Sequence, residues 1–404
     1  MTSVIPPQPI LSICVPTFNR GRYLECLLQD LYEQIDKLGI SYELLIGDNC
    51  SQDNTAEVVE KYSSLLNIVY FRHSQNLGAY VNLIQLYRAA RGRFTIYLAD
   101  DDLLIMDALK DIIMVMVDYP NVGVTFAPWF IHDRIKGKDI AQFYSLESDT
   151  VISLGNHQNL FTLLVKKHIF PEIFVARTDL LQNIDVPNSP SAFVYFVQAS
   201  LMVDRTSVLF AKRPFYRSVS NYFEGESRSQ EGNEDVKIGW DKYRGGLEYI
   251  LSRFSSQLSV EDLAACRSEI DRFAAIRMSV GLRLRTVENL NWVDNYYLAA
   301  RLRSTGFEDL LPAHYDHYRV NAALEYLLNL KPFLPQPTRF AYSADDPPIS
   351  IIYVLGFANA PFHVNDDTSQ VSLENTILLS TKSKSSTSER VMVMNESDLI
   401  GLFP

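Results

Sequence analysis

The stretch ILSICVPTFNR, from Ile10 to Arg20, decides the reading of the fold. Ile10 to Val15 is a short apolar run rich in β-branched residues, and Pro16 breaks it. Outward from it, Tyr23, Leu24, Leu27, Leu28, Leu31, Ile35 and Leu38 recur at helical spacing. A second strand runs from Tyr42 to Ile46 and ends at Gly47, Asp48 and Asn49. Ser51 or Asp53 can cap the helix that follows, which carries Val58, Val59 and Leu65. Asn67 to Arg72 predicts a third strand and Ala79 to Ala90 a third helix. Phe94 to Leu98 predicts a fourth strand, stopping at Ala99, Asp100, Asp101 and Asp102. A helix from Asp107 to Val117 and a strand from Val122 to Ala127 continue the alternation. Such an order means an α/β fold, a mostly parallel sheet with helices on both faces.

Beyond residue 130 the pattern is mixed, with strand-like pieces at Glu172 to Ala176 and Thr206 to Phe210. Phe193 to Val203 predicts a helix at the floor of a site. Ser218 to Asp235 is polar and rich in Gly, Ser and Glu, which reads as a lid loop. Residues 236–340 read as a helical region, with Ser259 and Asp262 spaced as a capping pair. After Pro348 short strand candidates at Ile349 to Val354, Thr376 to Leu379 and Arg390 to Met394 suggest a small β-rich tail. The expected division is therefore 1–235, itself split near residue 130, then 236–340 and 341–404.

Hydrophobic residues make up 47% of the 404 and charged residues 21%, the balance of a chain with a substantial core. The net charge of −11 excludes a general nucleic-acid binder, which needs a basic footprint. Four cysteines without CxxC spacing read as buried free thiols in a reduced compartment. Met1 to Pro9 lacks the basic and apolar regions of a signal peptide. No apolar run approaches the roughly 18–20 residues that span a bilayer. The expectation is a cytoplasmic protein. Peripheral membrane contact stays open, because residues 236–332 carry many arginines.

Ligands of a doubly wound sheet bind beyond the carboxyl ends of its strands. Three polar clusters fall at such ends: Pro16 to Arg20, Asp48 with Asn49, and Asp100 to Asp102. Carboxylates crowded at one strand end repel each other. A divalent cation with oxygen ligands, Mg²⁺ or Mn²⁺, relieves that and keeps positions for phosphate oxygens. No GxGxxG follows the first strand and no GxxxxGK[ST] occurs, so the dinucleotide and P-loop cradles are absent.

These motifs resemble family-2 glycosyltransferases of the GT-A fold. Ser12 to Arg20 resembles their opening strand and turn, and Gly47 to Thr55 matches their D-[DNG]-x-S-x-D-x-T element. Asn76, Leu77, Gly78 and Asn82 match the segment leading into the third helix. Ala90 to Phe94 with Leu98 to Asp102 matches the A-x-G-x-[YF] strand and its DxD end. The ADDD form is similar to an abequosyltransferase-type branch.

The resemblance implies a nucleotide-sugar donor and a hydroxyl acceptor, either a glycan, a lipid-linked saccharide or a small metabolite. Transfer would be metal-dependent and inverting. Pro16, Thr17, Phe18, Arg20 and Asn76 would form the donor wall, and Asp48 would accept a bond from the base. Asp100 and Asp101 would meet the ribose and diphosphate. Asp102, with Asp100, would hold the metal. Asp53 reads equally as a cap or a ligand contact.

The family's E-D pair would fall near Ser191 to Gln198, which has no carboxylate. Asp185 is preferred as the base that deprotonates the acceptor, with Glu172, Asp179 and His168 as alternatives. Trp129 and His132 follow the last strand, where acceptor contacts begin in this fold. The Trp129 face can stack on a sugar, and it reads as core equally well. Arg217 and Arg228 are candidates for the diphosphate. A non-catalytic nucleotide- or glycan-binding protein on the same fold is the competing reading. The tail suits a homodimer or partner docking.

Overall fold

The computed structural model describes residues 8–225, 236–288, 291–330, 339–343, 376–380, 391–394 and 401–402. The chain divides into two compact units. One comprises residues 1–230 with 241–273, the other 231–240 with 274–404.

The first unit begins with strand β1 (Leu11–Thr17) and helix α1 (Gly21–Gln34), then β2 (Tyr42–Asp48) and α2 (Thr55–Tyr62). β3 (Ile68–Arg72), α3 (Ala79–Ala89), β4 (Phe94–Tyr97), β5 (Leu103–Leu104) and α4 (Met106–Asp118) follow. Next come β6 (Val122–Phe126), β7 (Trp129–Asp133), β8 (Lys138–Gln142), β9 (Thr150–Ile152) and α5 (His157–Lys167). β10 (Phe174–Arg177), α6 (Thr178–Gln182), α7 (Val194–Val203), β11 (Ser207–Phe210) and β12 (Tyr216–Asn221) complete the described strands and helices up to residue 225.

Eight strands form the main sheet in the order β3-β2-β1-β4-β10-β6-β11-β9. The first four are parallel, β10 is antiparallel to both neighbours, and β6 and β11 are parallel. Leu11, Ile13, Cys14 and Val15 on β1 are fully buried, as a strand covered on both faces requires. Pro16 does not end the strand: β1 stays in register with β2 through Thr17 opposite Asp48. Pairing with β4 stops at Cys14, two residues before the missing Pro16 N–H. The helical stripe Leu24, Leu27, Leu28, Leu31, Ile35 and Leu38 is buried as its spacing predicts. Tyr23 stands apart and faces Tyr222 instead.

The Ala90 to Phe94 segment packs at the amino ends of the strands, away from the polar rim. Glu43 on β2 is buried and accepts from Ser12 Oγ at 2.6 Å and from the Arg91 amide and guanidinium at 2.7–3.0 Å. Gly92 donates its amide to Ser12 Oγ, and a Cβ there would stand 2.6 Å from the Ser12 nitrogen. Only glycine fits that approach.

A second sheet, β5-β12-β7-β8, lies in the same unit. The lid loop expected from Ser218 onward is strand at its start. β12 runs to Asn221 because it pairs with β7 on one side and β5 on the other, giving its polar residues ladder bonds. Residues 226–235, with Arg228, lie outside the described residues.

Helices Trp240–Ser252, Val260–Val287, Trp292–Ser304 and Tyr315–Leu330 supply the predicted helical region. Ser259 Oγ accepts the Asp262 amide at 3.0 Å, as the capping pair predicts. The second unit has its own core around Trp292, Tyr296, Leu302 and Tyr318. Strands Arg339–Ser343, Thr376–Ser380 and Val391–Met394 make a parallel three-stranded sheet, while the expected strand 349–354 lies outside the described residues. Among the described residues no helix is long and apolar enough to cross a membrane.

Candidate active site

Parallel β1, β2 and β4 set their carboxyl ends side by side, so the turns after them share one rim. The first two turns are interlocked. The Asn49 amide donates to the Thr17 carbonyl at 2.9 Å, the Asn19 amide to Ser51 Oγ at 2.8 Å, and the Gln52 amide to Asn19 Oδ1 at 2.8 Å. Asn19 (φ 52°) and Cys50 (φ 71°) adopt left-handed backbone here, a conformation that for cysteine costs about 1 kcal/mol or more. The knot of cross-turn bonds holds it.

The three aspartates after β4 do different work. Asp100 is nine-tenths buried, accepts Thr17 Oγ1 at 2.7 Å and pairs with Arg20 Nε at 2.8 Å. Arg20 extends its Nη2 to Asp101, also buried, and its guanidinium lies over the Tyr23 ring. Burial pushes the Asp100 carboxyl up to about 6; the Arg20 charge opposes the rise and the Asp101 charge adds to it. One guanidinium thus bridges two buried carboxylates. Asp102 instead accepts Tyr216 Oη at 2.9 Å on one oxygen and the Val219 amide at 2.8 Å on the other. Burial and the Asp102 charge hold the Tyr216 phenol well above its ordinary value, so it remains a donor. Asp102 is a bracket that ties β12 to the rim. The metal-ligand role expected of it meets oxygens already engaged by protein donors.

Among the described residues no three His, Cys, Asp or Glu side chains converge as a ready-made cage. Mg²⁺ and its like keep several waters and take one or two carboxylates plus phosphate oxygens. Asp100 and Asp101 supply hard carboxylate oxygens of that kind, and an ion bound there would share or displace the Thr17 and Arg20 contacts, as it would the Tyr216 and Val219 contacts at Asp102.

Asp48 is fully buried. Its carboxylate accepts the Ser51 amide at 2.7 Å and Tyr70 Oη at 2.6 Å, with Arg72 Nε 3.6 Å away. It anchors the rim in this conformation, where an open acceptor for a base was expected. A hollow of about 630 Å³ lies next to these anchor partners, lined by Tyr70, Arg72, His73 and Arg88. Tyr70 and Arg72 were missed from sequence, although β3 register sets them opposite Ile46 and Asp48. Asn76 accepts from Asn49 Nδ2 and the Gly78 amide, both at 2.8 Å, and shapes the turn before α3. Phe18 is exposed on the rim and Pro16 half-buried within β1.

Asp53 ties together the starts of α1 and α2. It accepts the Thr55 amide and hydroxyl and clamps the Gly21 amide at the start of α1. Asp53→Ala is expected to lower stability by about 1–2 kcal/mol, read by thermal melting, while leaving donor affinity unchanged.

Each acceptor-side candidate has a protein partner in this structure. Trp129 is buried and stacks on Phe143 with ring centroids 4.3 Å apart, so its face is spent on packing. His132 pairs with Asp139 at 2.7 Å, and Arg217 grips the same carboxylate at 2.8 and 3.2 Å. Asp185 carries a side chain 90% exposed and paired with Arg88 at 3.1 Å. His168 stacks on Phe273 with ring centroids 4.0 Å apart.

Residues 12–181 match the family model described as Glycosyl transferase family 2. The chain is 27% identical over 211 residues to the poly(ribitol-phosphate) beta-N-acetylglucosaminyltransferase TarS of Staphylococcus aureus, covering 51% of this chain and 35% of that one. A crystal structure of S. aureus TarS 1–349 with UDP-GlcNAc aligns with TM-score 0.43 at 19% identity, over 74% of this chain and 88% of that one. Abequosyltransferase RfbV of Salmonella typhimurium is 36% identical over 102 residues, 25% of this chain and 30% of that one. Chondroitin synthase of Escherichia coli is 42% identical over 282 residues, 67% and 38% respectively. The chain spans about a third of the length of these curated relatives.

Proposed function

We propose, from the match of residues 12–181 to the family-2 glycosyl transferase model, that the chain transfers a sugar from a nucleotide-sugar donor to a hydroxyl acceptor. The transfer is metal-dependent and inverts the anomeric carbon. The observation that carries this reading is the buried pair Asp100 and Asp101, bridged by Arg20 and held by Thr17 at the carboxyl edge of the sheet. The turns of β1 and β2, with Asn49 and Asn76, form the seat for the nucleoside. Arg20 is partly exposed and presents positive charge to an arriving diphosphate. Asp100 and Asp101 would hold a divalent ion, which when bound neutralises charge on the departing diphosphate. Asp102, Tyr216 and Val219 keep β12 against this cluster, and the Tyr222 ring continues that contact onto Tyr23. Such a wall limits water access, which suppresses donor hydrolysis.

Asp185 lies on the surface, without the shelter that tunes a general base toward neutral pH. Asp185→Asn is expected to retain kcat within about twofold, since general-base removal ordinarily costs a hundredfold or more. A hundredfold loss would restore Asp185 as the base.

A melting-temperature screen of UDP-, GDP-, dTDP- and CDP-sugars with and without Mn²⁺ tests the donor assignment. At a hundred times its Kd a ligand stabilises by about 2.7 kcal/mol, and the shift should require the metal. If no nucleotide-sugar moves the transition under either condition, the reading fails. The start of α7 carries no carboxylate, which favours a non-catalytic binding protein as the second reading. Metal-stimulated hydrolysis of the cognate donor without acceptor would exclude it.

A further inference from the structure

Strand β10 runs against both β4 and β6, so it brings its amino end to the polar rim where they bring their carboxyl ends. Val175 lies opposite Ile96, and Phe174 lies opposite Phe126. Counted on in the same registers, Glu172 comes level with Ala99 on one flank and Pro128 on the other. Ala99 is the residue before Asp100. The Ala127 amide donates to the Ile173 carbonyl at 3.0 Å, so β6 holds the chain as far as the neighbour of Glu172. Glu172 is half-buried. Its charge is felt at Tyr144, whose phenol is held above its ordinary value first by burial and then by Glu172. Tyr144 is itself buried, edge-on to Trp129 with ring centroids 5.9 Å apart. The carboxylate therefore belongs to the stretch of rim between Asp100 and the start of β7.

The same topology removes the other carboxylates considered for proton abstraction. Asp179 follows the carboxyl end of β10, at the opposite edge of the sheet. There the Thr178 amide donates to the Arg93 carbonyl at 3.2 Å, and the Thr178 and Thr95 hydroxyls are 2.7 Å apart. Asp185 is exposed and paired with Arg88, and the first turn of α7 carries no acidic residue. Asp100 and Asp101 face Arg20, while Asp102 holds Tyr216 and Val219. Glu172 is a rim carboxylate that builds no part of the donor seat. Abstracting the proton of a hydroxyl requires such a group within hydrogen-bond reach of the reacting oxygen.

We propose that Glu172 is the catalytic base of the transfer and takes the proton of the acceptor hydroxyl. The acceptor oxygen gives an electron pair to the anomeric carbon, and its proton passes to a carboxylate oxygen of Glu172. The bond from that carbon to the diphosphate breaks, with its electron pair on the departing oxygen. Solvent then receives the proton from Glu172. The role rests on the transferase reading. Turnover of UDP-, GDP-, dTDP- and CDP-sugars by the full chain with Mn²⁺ is measured as nucleotide release, with water as the acceptor. The melting shift given by each donor is recorded beside it. Glu172→Gln should lower turnover roughly a hundredfold or more, because it ends proton acceptance, while keeping the parental donor shift. Glu172→Asp draws the carboxylate back by one methylene and should cost roughly ten- to a hundredfold, since a misplacement of about 1 Å is enough. It keeps the charge and so carries the test should the Gln variant misfold. Asp179→Asn, at the far edge, should keep the parental rate. Turnover within twofold of the parent in either Glu172 variant, a donor shift lost in step with turnover, or an equal loss in Asp179→Asn would overturn the role. Donor binding without cleavage by the parent would overturn it in favour of a binding protein. A parent that neither binds nor cleaves any of these donors overturns the transferase reading itself, whereas an active parent beside an equally active Glu172→Gln overturns this role alone.

Discussion

Asp101→Asn is expected to lower kcat by roughly a hundred- to a thousandfold, the range for deleting one preorganised electrostatic contact to a developing charge. The substitution keeps shape and removes one negative charge. Arg20 can still donate to the amide oxygen, so the local bonding survives. The fold should not suffer, because Asp101 raises the burden on its neighbour: with that charge gone the Asp100 carboxyl falls back toward its ordinary range. Activity and Mn²⁺ affinity should therefore collapse while melting stays within about 2 °C of the parent, no more than about 1 kcal/mol produces in a unit this size. Manganese EPR and initial rates read both. Full metal-dependent activity in this variant would refute the assignment of the ion to Asp100 and Asp101.

Asp102→Ala should give the opposite pattern, a stability loss first and an activity loss through it. Removing the carboxylate leaves the Tyr216 hydroxyl and the Val219 amide without their acceptor in a buried setting. Each unsatisfied donor costs about 1–3 kcal/mol, so a total near 3–4 kcal/mol follows. For a unit of this size that lowers the melting temperature by roughly 6–16 °C. Asp102→Asn, which keeps one acceptor oxygen, should fall between the two. Tyr216→Phe removes the hydroxyl that donates to Asp102 and accepts the Ala99 amide at 3.1 Å, and should also lower stability. Were Asp102→Ala to abolish Mn²⁺ binding with an unmoved transition, Asp102 would be the ligand and the bracket reading would be wrong.

The two variants sit one residue apart, and their contrast marks what a sequence can carry. The alternation of strand and helix from Leu11 to Phe126 was legible because a parallel strand buried on both faces needs an uninterrupted apolar run, and helices between such strands need a stripe. The rim was legible too, since parallel topology alone sends every carboxyl end to the same edge. Trp129 was ambiguous for a physical reason: an indole face serves a sugar or a neighbouring ring equally well, and only Phe143, just past the end of β8, decides. β12 was read as loop because its polar residues look solvated until β5 and β7 supply ladder partners.

By itself the sequence determined the alternation of strand and helix up to residue 126, the edge on which the polar clusters gather and the acidic character of that edge. These follow from local periodicity and from a handedness that every L-peptide chain obeys. Tertiary structure alone decided which aspartate pairs with Arg20 and which holds a strand. Asp102 meets Tyr216 across 114 positions, and Arg20 meets Asp100 across 80. Pairings at that separation depend on how distant elements pack, which no short window of residues encodes.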